Sequence, residues 1–192
     1  YLKLVLIAIP LLFFIPMYNI AFPNKSPDYI VQNSEKYKKL GMLRWEDGKD
    51  HALPQDYADM LGWKELARKV DSVYLTLPNK NKTLIVCDNY GQAGAINYYT
   101  KQNLKAVSFN ADYVNWFDLS VKYQNLIRVK DYNDNIEELE QTSPYFQKSM
   151  LAGAVTNQYS REFGTPIFVF IGAKIDINKR IIEEIEKEKK HR

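Results

Sequence analysis

The stretch Thr83 to Tyr99, TLIVCDNYGQAGAINYY, changes hydrophobic period in its middle, and that change narrows what the chain can fold into. Leu84, Ile85, Val86 and Cys87 form a short unbroken apolar run rich in β-branched residues. It is too short for an independent helix and suits a strand covered on both faces. Asp88, Asn89, Tyr90 and Gly91 supply turn chemistry, after which Ala93, Ala95, Ile96 and Tyr99 recur at helical spacing. The pattern predicts the first βα unit of an α/β domain. In open α/β sheets ligands bind beyond the carboxyl ends of strands, where helix N-termini offer free N–H groups. Asp88, Asn89, Tyr90 and Gln92 are therefore the first binding candidates. Gly91 and Gly94 match neither G-x-G-x-x-G nor the phosphate loop, so turn geometry and close helix–strand packing account for them better than phosphate binding.

At 192 residues and 46% hydrophobic, the chain can bury one full core, and its length favours a single globular domain with appendages. The excess behind the net charge of +3 lies mostly in the terminal EKEKKHR and not in a stripe interleaved with aromatics, which argues against nucleic acid as a partner. One cysteine, Cys87, excludes an internal disulfide and a cysteine metal cluster, and its place in the predicted strand reads as a structural thiol. His51 and His191 are far apart and support neither a zinc site nor a Ser/His pair. No metal and no cofactor is expected. Fourteen tyrosines suit interfaces, membrane borders or sugar faces.

The most hydrophobic segment is Leu2 to Phe22, LKLVLIAIPLLFFIPMYNIAF, with one charge at Lys3. Its length fits a membrane helix, in which Pro10 and Pro16 are tolerated. A signal peptide is the rival reading, weakened by the prolines and by the lack of an A-x-A cleavage site. Because the chain opens at Tyr1 and not at Met, the segment is expected to be the last membrane helix of a longer protein. PNKSP then links to a helix capped by Asp28, with Tyr29, Ile30, Tyr37 and Leu40 on one face and Gly41 closing it. Arg44 to Asp50 reads as a charged turn, and Leu53-Pro54 opens a helical stretch that runs to Pro78 with a break at Gly62. Asp56 and Asp59 form an i, i+3 pair. Acid–base work is one reading, but acidic residues in a first helical turn follow from the macrodipole alone. Trp63, Leu66, Ala67, Val70, Val73 and Tyr74 form a core stripe.

Beyond the central unit, Ala106 to Asn110 reads as a second strand. Asn110, Tyr113, Asn115 and Trp116 follow it, amides beside aromatics on the same rim as Asn89 and Tyr90 if the strands are parallel. A stacking ring beside an amide is a common way to hold a sugar, and a plain loop is the competing account. Leu126 to Val129 is a third strand, and Asp134 to Gln141 a short acidic helix. Met150 to Val155 and Ile167 to Ile171 are joined too tightly for a crossover helix and are expected to pair antiparallel at one edge. From Asn178 an amphipathic helix puts Ile181, Ile182 and Ile185 inward, with Glu183–Lys187 and Glu186–Lys190 as i, i+4 pairs. The expected fold class is α/β: a three-layer, Rossmann-like, mostly parallel sheet with an antiparallel edge strand, with residues 44–192 as the soluble domain. Residues 1–22 form a membrane helix and 23–43 a linker and helix ahead of it.

Three segments taken together carry a family resemblance: ALPQDYADMLGWKELARKVDSVY, IVCDNYGQAGAINYY and NQYSREFGTPIFVFIGAK. In this order and spacing they resemble the C-terminal soluble region of bacterial membrane glycosyltransferases. These are similar to the dolichyl-phosphate-mannose protein mannosyltransferases and the lipid A aminoarabinose transferase. The resemblance implies a many-spanning enzyme that passes a sugar from a polyprenyl-phosphate carrier to an acceptor outside the cytoplasm. This chain would then be an extracytoplasmic tail, with its own upstream membrane domain, the membrane, and a glycan, lipid-linked sugar or protein acceptor as partners. The transferring carboxylates of that family lie near its first membrane helices, so the resemblance assigns no catalytic residue here, and Asp88 carries over only as a contact. The alternative is a free-standing α/β protein that binds a nucleotide or sugar phosphate. The nearest cations to the strand-end rim, Lys82 and Lys101, are badly placed for it.

Overall fold

The computed structural model describes residues 2–22, 24–132 and 137–190, the side chains of Pro16 and Asn19 excepted. The chain divides into two compact units, Tyr1–Met60 and Leu61–Arg192.

In the first unit, helix α1 spans Leu2–Ala21, and its apolar side chains are largely exposed. Among the described residues no helix is long and apolar enough to cross a membrane. The last carbonyls of a helix lack partners within it. Here the Tyr57 hydroxyl donates to the carbonyl of Ile20 at 3.1 Å and to that of Phe22. Two short helices, α2 (Pro27–Gln32) and α3 (Ser34–Lys39), replace the single helix expected from Asp28. The N-cap of α2 is Ser26, whose hydroxyl accepts from the Tyr29 N–H at 3.2 Å with Pro27 following it, and Asp28 lies inside the first turn. Asn33 breaks the run because its side-chain amide donates to the Tyr29 carbonyl at 2.8 Å, in competition with the helix ladder. Ile30 and Tyr37 are buried, whereas Tyr29 and Leu40 are exposed. Gly41, at φ +72°, closes α3, and an Arg44–Asp50 bridge folds the charged turn around Gly48. In α4 (Gln55–Ala58) Asp56 occupies the first turn and Asp59 the C-cap, so the pair straddles the helix.

The second unit is built on a five-stranded mixed sheet, in the order β2-β1-β3-β5-β4. The strands are β1 (Thr83–Cys87), β2 (Ala106–Ser108), β3 (Asn125–Val129), β4 (Phe146–Ala154) and β5 (Pro166–Ala173). β1 runs parallel to β2 and β3, and β5 runs antiparallel to both β3 and β4. The tight β4–β5 connection yields the expected antiparallel pair at one edge, but the middle of the sheet belongs to β3 and not to β1. β4 forms one edge of the sheet and β2 the other. Met150 and Leu151 are exposed on β4, and a bulge falls at Ala152, because Leu151 pairs with Phe168 and Gly153 with Ile167.

Side chains alternate across a strand, and β1 divides its apolar run between two cores. Ile85 and Cys87 join Ile127, Val129, Ile167 and Val169 on one face. That face is covered by α5 (Trp63–Leu75), through Leu66 and Val70, and by α6 (Tyr90–Tyr99), through Ala93 and Ile96. Leu84 and Val86 join Val107, Phe146, Phe168 and Phe170 on the other face, under Ile177 and Ile181 of α8 (Ile177–Lys190). Three layers result, and the Trp63–Tyr74 stripe lies in the core as expected. In α8 Ile181 is buried and Ile185 packs on the core, but Ile182 is exposed, since consecutive residues lie about 100° apart on a helix. The ion pairs of α8 form at i, i+3, Arg180–Glu183 and Glu184–Lys187. Part of the predicted acidic helix, residues 134–136, lies outside the described residues; α7 covers Glu138–Thr142.

The motif segments meet one another within this unit. Gly62 sits at φ +86°, and a Cβ there would come within 3.0 Å of the Ser160 Cβ, with the Ser160 hydroxyl closer still. Trp63 packs over Gly91, at 3.6 Å from where a Cβ would stand. Glu65 accepts from the Thr156 N–H (2.8 Å), the Thr156 hydroxyl (2.6 Å) and the Asn157 N–H (3.1 Å), and pairs with Lys69 at 2.8 Å. Burial alone would raise its pKa, but these bonds outweigh it and bring the carboxyl down to about 2. A folded-state pKa below the unfolded value of 4.5 stabilises the fold above pH 4.5, and the gain is lost as pH falls through about 2. Glu65→Gln is thus expected to lower unfolding free energy near neutral pH by on the order of 1–2 kcal/mol, after discounting for solvent screening. Urea midpoints measured from pH 7 to pH 2 should show the two proteins converging at the acid end, and parallel profiles would contradict this assignment.

Candidate functional site

The strand-end rim is formed where β1 and β3, in register Cys87 to Val129, release their chains side by side. Residues on one face of paired parallel strands line up, so Val86 beside Arg128 places Asp88 next to the cations that follow on β3. Asp88 Oδ1 takes the Arg128 Nη2 at 2.5 Å, and Oδ2 takes Lys130 Nζ at 3.2 Å and the Asp131 N–H at 2.9 Å. Glu138 approaches both cations at 3.8 Å. All four of these charged side chains are less than a fifth exposed. Asp88 is thus a carboxylate fully engaged by its own fold.

Asn89 is the N-cap of α6, its Oδ1 accepting from the Gln92 N–H at 2.9 Å while Nδ2 donates to Asp131 Oδ1 at 2.9 Å. Gln92 is completely buried, and its Nε2 bridges two carboxylates, Asp131 Oδ1 at 2.8 Å and Glu162 Oε2 at 3.0 Å. Burial pushes the Glu162 carboxyl up, against the hydrogen bonds from Gln92 and Thr165, and the nearby Asp131 charge adds to the rise. Asn89 and Gln92 therefore pin the rim together. Burial likewise pushes the Cys87 thiol up, in keeping with a structural role.

The remaining candidates stand at the surface. Ala111–Asn115 is a 3-10 turn after β2, with Ala111 at φ +51°. It buries Val114 and turns Tyr113 onto the flank of α6, where the Tyr113 hydroxyl lies 3.2 Å from the position a Cβ of Gly94 would take. The Tyr113 and Trp116 rings are 4.1 Å apart at 33°, and Trp116 is 55% exposed. Tyr90 and Tyr98 flank Gly94 on α6 at i−4 and i+4, and both are exposed. Asn110 and Asn115 are exposed at either end of the turn, and the Asn110 N–H donates to the Ser108 hydroxyl at 3.0 Å.

The eight predicted residues thus fall into two groups: Asp88, Asn89 and Gln92 hold the rim together, while Tyr90, Asn110, Asn115 and Trp116 are exposed and the half-buried Tyr113 backs the Trp116 ring, a shelf of rings and amides. Sequence reasoning did not identify Arg128, Lys130, Asp131, Glu138 and Glu162, nor Tyr98 as a shelf ring. The signal for the first two was present in NLIRVKD, where cations alternate with apolar residues on a strand and call for an acid on the neighbouring one. Among the described residues no group of His, Cys, Asp and Glu is arranged to hold a metal. A scan of the chain against protein-family models finds no match, and neither curated proteins nor solved structures match it.

Proposed function

We propose that this chain is a membrane-adjacent, extracytoplasmic accessory domain of a polyprenyl-phosphate-sugar-dependent glycosyltransferase, holding a glycan-bearing acceptor or lipid-linked donor without itself carrying out the transfer. The observation that carries this reading is the tilted Tyr113–Trp116 pair, with the Tyr113 hydroxyl set against side-chain-free Gly94 and the Trp116 ring open to solvent, on a domain whose Tyr90 is also exposed. Ring faces receive the C–H faces of a sugar, and neighbouring amides meet its hydroxyls. The exposed apolar side chains of α1 give the chain an element that suits a lipid surface. Both Asp88 oxygens are taken up by Arg128, Lys130 and the Asp131 N–H, which supports binding over turnover. Against a nucleotide or sugar-phosphate binder stands the cap of α6, because Asn89 already takes the Gln92 N–H that a phosphate would need.

Trp116→Ala and Tyr90→Ala in the intact enzyme are expected to raise the acceptor or donor concentration needed for half-maximal rate about tenfold, with the thermal midpoint unchanged. Wild-type kinetics in both variants would remove the shelf from the reading. Turnover of a polyprenyl-phosphate sugar by this chain alone would remove the accessory role.

A further inference from the structure

The face of the sheet opposite α6 carries a cleft of about 480 Å³, bounded by the sheet, α7 and α8. That size lies within the range of small-molecule sites. Its floor is apolar, made by Leu84, Val86, Leu126, Phe146, Ile177 and Ile181, and the Phe109 ring stands at the side. The charged lining consists of two cations, Arg128 and Arg180, and two anions, Glu138 and Glu184. The Arg128 guanidinium is only part-used: Nη2 binds Asp88 at 2.5 Å, Nε faces Glu138 at 3.8 Å, and Nη1 is buried and donates to no group among the described residues. A buried unpaired guanidinium nitrogen is costly, and an acceptor beside it recovers that cost. Glu138 accepts from the Thr142 hydroxyl through Oε1 at 2.7 Å, while its Oε2, at 3.8 Å from both Arg128 Nε and Lys130 Nζ, is beyond direct hydrogen-bond distance of either cation and has room for a closer donor.

A net-neutral lining in which Arg128 Nε and Glu138 Oε2 stand 3.8 Å apart beside an apolar floor does not favour a simple anion or a simple cation, either of which would add uncompensated charge to a partly dry place. It matches a zwitterion with an apolar body. We infer that this cleft binds a free apolar α-amino acid, its carboxylate received by Arg128, its ammonium by Glu138, and its side chain by the floor beneath α8. The site is separate from the aromatic shelf and independent of the glycosyltransferase reading.

Calorimetric titration of the full chain with L-phenylalanine, 3-phenylpropionate and phenethylamine separates the cases, since the two analogues each lack one charge of the amino acid. L-phenylalanine is expected to bind at least tenfold more tightly than either analogue. Arg128→Lys keeps a cation for Asp88 but removes Nη1, and is expected to weaken L-phenylalanine at least tenfold. Gln141→Trp, at an exposed position on the mouth, is expected to block binding without touching the core. Equal binding of the three probes, no binding of L-phenylalanine at millimolar concentration, or undiminished binding by Gln141→Trp would each overturn the assignment. If Arg128→Lys fails to fold, the probe series and Gln141→Trp decide the matter by themselves.

Discussion

Asp88→Ala is expected to destabilise the second unit by about 3 kcal/mol, read as a lowered urea midpoint with an unchanged slope. The reason lies in what remains, not in what is removed. Arg128 and Lys130 are 19% and 15% exposed, and without Asp88 the ion-pair partner left to them among the described residues is Glu138 at 3.8 Å. Removing one partner from a buried pair leaves an uncompensated charge, and that penalty exceeds what the pair contributed against an apolar substitute. Asp88→Asn should lose less, because its carbonyl oxygen still accepts from the Asp131 N–H that Asp88 holds at 2.9 Å. A wild-type midpoint for the alanine variant would mean that these charges are as well solvated as surface ones, and would make Asp88 available to a ligand after all.

Gly62→Ala is expected to cost about 3 kcal/mol, combining left-handed backbone strain with overlap against a packed neighbour. At φ +86° an L side chain is disfavoured before any contact is considered, and the new methyl meets Ser160, whose hydroxyl already donates to the Leu61 carbonyl at 2.9 Å. Gly153→Ala supplies the control, since nothing lies within 4 Å of a Cβ there and its φ is not positive. Thermal unfolding of the two variants should differ by several degrees, and equal midpoints would show that the Gly62 turn relaxes freely.

The parts legible in the sequence were those whose signal is local. The run from Leu84 to Cys87 reads as a strand because no helix uses apolar residues on every side over so short a length, and β1 lies between two strands and two cores. The α5 stripe and the antiparallel β4–β5 pair were legible for similar reasons, one by its period and the other by the length of its connection. What escaped depends on pairing at a distance. That β3 and not β1 takes the middle of the sheet follows from β5 docking on β3, about 40 residues further along the chain. Asp88 looked like an open rim carboxylate because its partners Arg128 and Lys130 lie on another strand, and only the register of β1 with β3 brings them to it. The end of α2 failed for a subtler reason: Asn33 is an ordinary residue for an exposed helix by composition, and only its side-chain bond to the Tyr29 carbonyl makes it a stop. The cap at Ser26 was legible and overlooked, since serine followed directly by proline marks a helix start.

The bulge at Ala152 bears on what β4 can recruit. An outermost strand presents a row of unsatisfied N–H and C=O groups, which natural edges blunt with charge, proline or a kink. β4 carries one charge, Lys148, and no proline, so most of that protection falls to the bulge. By inserting one unmatched residue it bends the strand and changes which groups face outward. A foreign strand adding to this edge can therefore keep step from Phe146 only as far as Leu151, too short a template for extended stacking of chain upon chain.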